Sequence, residues 1–304
     1  MLRPASSLFR RLAACLFLIA PLALAQPSRG SCETPQRLRF ALAPEGNLER
    51  DLQAFKPLLQ DLQEALGIPV ETLRPASYSA VVEGLLNGSI HLARLGPASY
   101  VHARRASGEI EPFVSFAAPA SAWQAEGSSY RSLLIVRADG QRRRLPQLRG
   151  ASLAMADPHS TSGSVVPRAL FSQSVKMPLA EYFGWTGYAG SHEAAIKSVL
   201  AGRADAAFVA GIQLAAMQRR GELDPKQIKV LWQSPPLPLD PFVYRSSLCA
   251  RMRERIAETF LRFHQRHPQA LAEMQMTRFI EVRDADFDVV RKIESPSASN
   301  PAKR

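Results

Sequence analysis

Residues 157–171 read Asp-Pro-His-Ser-Thr-Ser-Gly-Ser-Val-Val-Pro-Arg-Ala-Leu-Phe. The six residues before them, 151–156 (Ala-Ser-Leu-Ala-Met-Ala), form a short apolar run suited to a buried strand. Within the stretch, Val165, Val166, Ala169 and Leu170 recur at helical spacing. The expectation is strand, loop, helix. The loop holds three consecutive hydroxyls, Ser160, Thr161 and Ser162, and Gly163 allows close backbone approach. A helix N-terminus offers free N–H groups and partial positive charge, and so suits an anion. Adjacent hydroxyls add donors to tetrahedral oxygens. One of the three is enough to cap the helix, so a plain cap stands beside the anion-binding reading.

Working outward, the 304 residues are 46% apolar, enough for two ordinary domains. Residues 1–25 have the make-up of a secretory signal peptide. Arg3, Arg10 and Arg11 precede an apolar run over 12–24, and Ala23-Leu24-Ala25 leads to Gln26. That run contains Pro21 and is too short to span a bilayer. An exported, soluble chain cleaved near Ala25 is expected. The formal charge of +11 falls to +8 without the three signal arginines, which suits an anionic ligand or surface. The basic groups Arg104-Arg105, 142–144 and Arg219-Arg220 read equally well as solvated faces. Neither zinc-finger spacing nor aromatic-basic interleaving is evident, so no nucleic acid is expected. Ser162, His192 and Asp205 can be written as nucleophile, base and orienter. There is no G-x-S-x-G elbow, however, and clustered hydroxyls suit binding, so an enzyme is not expected. Asp157, His159, His192 and Asp205 lack diagnostic metal spacing, and neither metal nor cofactor is expected.

Strand and helix patterns alternate along the chain, which argues for an α/β fold. Strands are expected at 38–42, 70–73, 90–95, 113–116, 130–136, 151–156, 185–188, 205–209 and 228–232. Residues 52–66 mark an amphipathic helix that Pro57 should kink or shorten. The loop 43–47 follows the first strand, where ligands bind in open α/β sheets, or is an ordinary connection. Tyr130 and Ser132 either border a cleft or form the solvent face of their strand. Residues 234–240, Ser-Pro-Pro-Leu-Pro-Leu-Asp, make a stiff connection, and 295–304 a frayed tail.

Ser-Thr-Ser-Gly followed by Val-Val-Pro resembles the anion-binding loop of periplasmic phosphonate, phosphite and phosphate binding proteins of ABC importers. Two further blocks resemble the same family in the right order: Leu-Asn-Gly-Ser-Ile-His-Leu-Ala-Arg-Leu-Gly-Pro-Ala-Ser-Tyr-Val over 86–101, and Gly-Ser-His-Glu-Ala-Ala-Ile over 190–196 followed by Val-Leu-Ala-Gly-Arg-Ala-Asp over 199–205. The likeness covers about 38–280. It implies a two-lobed type II binding protein, a Venus flytrap with a hinge. One lobe would hold 30–128 with 240–304, and the other 129–239. It also implies a small phosphorus oxyanion as ligand, a membrane permease as partner, periplasmic location and a monomer. A sensor subunit signalling to a membrane histidine kinase is the alternative. Carried over by the resemblance, the ligand contacts are Ser160, Thr161, Ser162, His192, Tyr100, Tyr78 and Asp205. Each tyrosine otherwise reads as half-buried packing, His192 as a cap or surface residue, and Asp205 as a turn end. His91, Arg94 and Leu95 depart from the family, which usually has an Asp near 91 and an aromatic near 95. Cys32 and Cys249 would lie in one lobe, where an oxidising compartment permits a disulfide.

Overall fold

The computed structural model describes residues 32–295. The expected signal peptide and most of the expected tail lie outside them. The first sheet has six strands: β1 (Leu38–Leu42), β2 (Val70–Thr72), β3 (Leu92–Arg94), β4 (Ile110–Ala117), β12 (Phe242–Arg245) and β13 (Arg278–Glu281). Their order is β13-β4-β12-β3-β1-β2, with β2, β1 and β3 parallel. The second sheet has five: β6 (Ser132–Arg137), β7 (Ser152–Met155), β8 (Trp185–Tyr188), β9 (Ala206–Ala210) and β10 (Ile228–Gln233), in the order β10-β6-β9-β7-β8. The chain therefore leaves the first sheet after β4 and returns to it at β12. The two crossing segments pair with each other, β5 (Ser129–Tyr130) against β11 (Leu237–Pro238).

Each sheet is covered by helices, and apolar residues fill both interfaces. Phe40, Phe55, Phe242, Phe260 and Phe279 pack together beneath the first sheet, with ring centroids 4.9–5.9 Å apart. Phe171, Phe183, Phe208 and Trp232 do the same in the second. Cys32 and Cys249 form a disulfide that ties the start of the described chain to the helix Ala250–Arg266.

Two expectations are corrected. The helix Leu48–Leu66 runs through Pro57 rather than starting after it. Phe55, Leu58 and Leu59 around that proline are buried, and their burial offsets the roughly 3 kcal/mol a mid-helix proline costs. Tyr130 and Ser132 are also not a solvent face, since both are under 4% exposed. The strand breaks between β5 and β6 at Arg131, so these two residues turn into the junction between the sheets.

Candidate functional site

Parallel strands β1, β3 and β7 all end at the same junction, and each is followed by a helix start. Loops at the carboxyl ends of parallel strands are where open α/β sheets gather ligand groups. After β1 comes the loop bearing Glu45, and after β3 Gly96 and Pro97, with proline preset for a first helical position. After β7 comes the hydroxyl loop.

The three hydroxyls there have three different fates. Ser160 is the N-cap: its Oγ accepts from the Gly163 N–H at 3.1 Å and lies 3.0 Å from His192 Nε2. Thr161 Oγ1 accepts from the Ala98 N–H of the other sheet's helix at 2.8 Å. Ser162 Oγ is buried and has no partner. Its carbonyl accepts from Ser132 Oγ at 2.6 Å. The helix opens in wide turns, with Val165 N–H bonded to the Ser160 carbonyl five residues back. Pro167, which cannot donate, sits in the next turn. Gly163 is required here, because a Cβ on it would lie 2.5 Å from Ala156 Cβ and 3.0 Å from His192 Cε1.

His192 begins a helix capped by Ser191. Its Nδ1 accepts from the Ala210 N–H at 3.3 Å, which leaves the proton on Nε2, facing Ser160. Burial pushes the imidazole down to about 4, against the pull of Glu45 and Asp157, so the ring is neutral near pH 7.

Opposite the hydroxyl loop lie Tyr78, Tyr130, Glu45, Arg94 and Asp240, all under 8% exposed. Tyr78 is the first residue of a helix capped by Ser77, and its hydroxyl is buried without a partner. Burial and the charges of Glu45 and Asp240 push its phenol well up. The Tyr130 hydroxyl lies beside Asp240 on one side and beside Ser162 and Thr161 on the other. Arg94 Nη2 donates to Glu45 Oε2 at 3.3 Å, and its Nε lies 3.8 Å from Asp240 Oδ2. Burial and the neighbouring Glu45 carboxylate push Asp240 well above its ordinary value, against the pull of Arg94. Burial alone would raise Glu45, but Arg94, Asp240 and Gln213 bring it below its ordinary value.

The structure thus gathers Thr161, Ser162 and Tyr78, with Ser160 and His192 behind the loop. Two expected contacts do not join them. The Tyr100 side chain points into the core of its own sheet, edge-on to Phe287 with centroids 4.8 Å apart, and its hydroxyl donates to Asp284. Asp205 clasps the start of β7, accepting from Ser152 N and Oγ at 2.8 and 2.9 Å, and pairs with Arg142. Glu45, Tyr130 and Asp240 escaped the reading of ligand contacts, although the Glu45 loop and the Asp240 connection were both marked. Of the three departures over 91–95, only Arg94 enters the site. His91 accepts from the Arg39 N–H at 3.0 Å beside Glu33, and Leu95 is core. Among the described residues, no group of three or more His, Cys, Asp or Glu is placed to hold a metal ion.

Comparison with known proteins points one way. The family model described as "ABC transporter, phosphonate, periplasmic substrate-binding protein" matches residues 40–287. The phosphate-import protein PhnD of Mycolicibacterium smegmatis is 26% identical, the match covering 96% of each chain. The phosphonates-binding periplasmic protein of Escherichia coli is 27% identical over 76% of this chain and 67% of its own. Among solved structures, PhnD1 of Prochlorococcus marinus in complex with methylphosphonate superposes with a TM-score of 0.75 at 19% identity, covering 86% of this chain and 98% of that one. A binding component of a Pseudomonas aeruginosa phosphonate transporter gives 0.75 at 22% identity, covering 85% of each chain. The fold is that of a two-lobed type II binding protein, and the chain belongs to the periplasmic substrate-binding proteins of ABC phosphonate transporters.

Proposed function

We propose that this binding protein captures a small phosphorus oxyanion, a phosphonate, phosphite or phosphate, between a lobe of residues 30–128 with 240–304 and a lobe of 129–239. The supporting observation is two buried hydroxyls without partners at the junction, Ser162 Oγ and Tyr78 Oη, beside the ion pair of Arg94 Nε with Asp240 Oδ2 at 3.8 Å. Buried polar groups are nearly always paired, so two orphan hydroxyls there favour a place for a ligand rich in acceptors. Both hydroxyls can donate to such a ligand. The Ala98 N–H, now bonded to Thr161, and the N–H groups of the hydroxyl loop add two helix N-termini, one from each lobe.

The ligand would hold the lobes together by bonding both. Contacts already crossing the junction support this reading: Ser99 Oγ to the His159 carbonyl at 3.1 Å, His192 N–H to the Glu45 carbonyl at 3.1 Å, and Arg50 to Glu193 at 2.7 Å. A membrane permease would receive the loaded protein, and no observation favours a kinase-linked sensor over it.

Calorimetry against phosphite, phosphate, methylphosphonate, sulfate and an alkanesulfonate tests the ligand class. Thr161→Ala with Ser162→Ala removes two donors worth roughly 1.5–3 kcal/mol each to a charged group, so affinity should drop about a hundredfold or more. If only sulfur oxyanions bind, the ligand class is wrong. If the double variant binds as wild type does, the loop is a helix cap and nothing more.

A further inference from the structure

Arg94 stands where the hydroxyl cluster meets a second space. A cavity of about 80 Å³ lies between the helix Leu48–Leu66 and the helix Gly211–Arg219. Arg94 and Glu45 line it, while Tyr78, Tyr130, Thr161, Ser162 and His192 do not. The Arg94–Glu45 pair is therefore the wall between the oxyanion donors and this cavity. The guanidinium also lies 5.9 Å from the Phe55 ring centroid, which backs it with apolar surface.

The chemistry of the wall is informative. Two buried carboxyl groups, Glu45 and Asp240, face one cation. A buried carboxyl pair favours a cation between its members, and here the protein supplies its own. A ligand ammonium arriving at the same place would meet a guanidinium already holding both acids. Like charges brought together in a buried site cost enough to exclude the wrong partner.

We propose that Arg94 is a specificity-determining residue that restricts the ligand to short phosphorus oxyanions without a cationic substituent, by filling the cation place between Glu45 and Asp240 and closing the way to the cavity. The inference rests on the oxyanion reading of the same site. Removing the side chain beyond Cβ would join the two spaces and free the carboxyl pair for an ammonium group.

The test uses ethylphosphonate and aminomethylphosphonate, which have the same shape and differ by a methyl against an ammonium, with methylphosphonate as reference. Calorimetry on the full mature protein should show wild type binding ethylphosphonate about tenfold or more tighter than aminomethylphosphonate. In Arg94→Ala the order should reverse. Wild type binding the two equally, or preferring the amine, overturns the proposal, and this comparison stands even if the variant does not fold. A folded Arg94→Ala that keeps the wild-type order overturns it too. If wild type takes methylphosphonate but neither longer ligand, the wall excludes by length, and the order in Arg94→Ala decides the charge. Wild type binding no phosphorus oxyanion at all is a different failure, since it removes the ligand reading itself and this inference with it.

Discussion

Ser162→Ala should raise the stability of the ligand-free protein while weakening ligand binding. Ser162 is 1% exposed and its Oγ has no partner. A buried hydroxyl without a hydrogen bond costs about 1–3 kcal/mol in desolvation. Alanine removes that cost and keeps the backbone bond from Ser132 Oγ to the residue 162 carbonyl, which does not depend on the side chain. The lost packing of one oxygen offsets part of the gain. The expected net is about 1 kcal/mol, or about 2–4 °C in Tm for a chain of this size. In the complex the same hydroxyl would donate to a charged oxygen, and its loss should weaken binding by about 1.5–3 kcal/mol, roughly ten- to 150-fold. Ser160→Ala is the contrast. It removes the cap on Gly163 N–H and the partner of His192, so the ligand-free protein should lose about 1 kcal/mol or more. Thermal melts without ligand and calorimetry with methylphosphonate read both quantities. If Ser162→Ala lowers the ligand-free Tm as much as Ser160→Ala does, the orphan hydroxyl is not what the structure shows. Unchanged affinity would remove Ser162 from the ligand site.

Three further outcomes follow from the same geometry. Tyr100→Phe should leave ligand affinity within about twofold of wild type and cost about 1 kcal/mol of stability, the net worth of the Asp284 hydrogen bond; a large affinity loss in calorimetry would restore Tyr100 to the site. Reducing the Cys32–Cys249 disulfide, which spans 217 residues, should cost about 2–5 kcal/mol in urea unfolding, and alkylation before and after reductant should count two new thiols. His192 is held near 4 by burial, below its ordinary 6.5, so the unfolded chain takes the proton first as pH falls. Its contribution is therefore complete above pH 6.5 and is lost between 6.5 and about 4, up to about 3 kcal/mol. Asp240, raised by burial, slopes the other way, so wild type should be compared with His192→Gln by urea unfolding at pH 7 and 4.5. Equal losses in the two proteins would refute the histidine assignment.

The strand–loop–helix around Ser160 was legible because it rests on local chemistry: an apolar run, a cap and a helical period. The alternation of the two sheets was legible for the same reason. What misled was direction. Tyr100 and Tyr78 both lie in the first turn of a helix and were both carried over by the resemblance, yet one phenol points into its own sheet's core and the other into the junction. Nothing in the spacing of either distinguishes them. Asp205 sits just before its strand, which starts at Ala206, and its carboxylate is spent on Ser152. Tyr130 hid behind a two-residue alternation that assumes one continuous strand, whereas Arg131 breaks it. Arg94 was visible as an oddity inside an apolar strand. Its meaning depends on Glu45 and Asp240, 49 and 146 positions away in the chain, which only the tertiary fold brings together.

The site also separates two ideas that the sequence ran together, net charge and anion recognition. Of the basic groups that make the chain cationic, Arg142 pairs with Asp205, Arg105 with Glu294, and Arg220 with Glu193 and Glu222, all away from the hydroxyl loop. Within the cluster, the charge of Arg94 is met by Glu45 and Asp240, and His192 is neutral near pH 7. On the proposed reading, recognition would be left to dipoles: hydroxyls, phenols and backbone N–H groups fixed by caps and helix starts. Such donors cost no reorganisation when the ligand arrives, and they act at full strength because water is excluded. They are also directional, so they can sort oxyanions by where protons and substituents sit. A patch of free arginines would attract any anion alike, whereas the buried Arg94 guanidinium is tied between two acids, and on the proposed reading neutral groups sort the ligand.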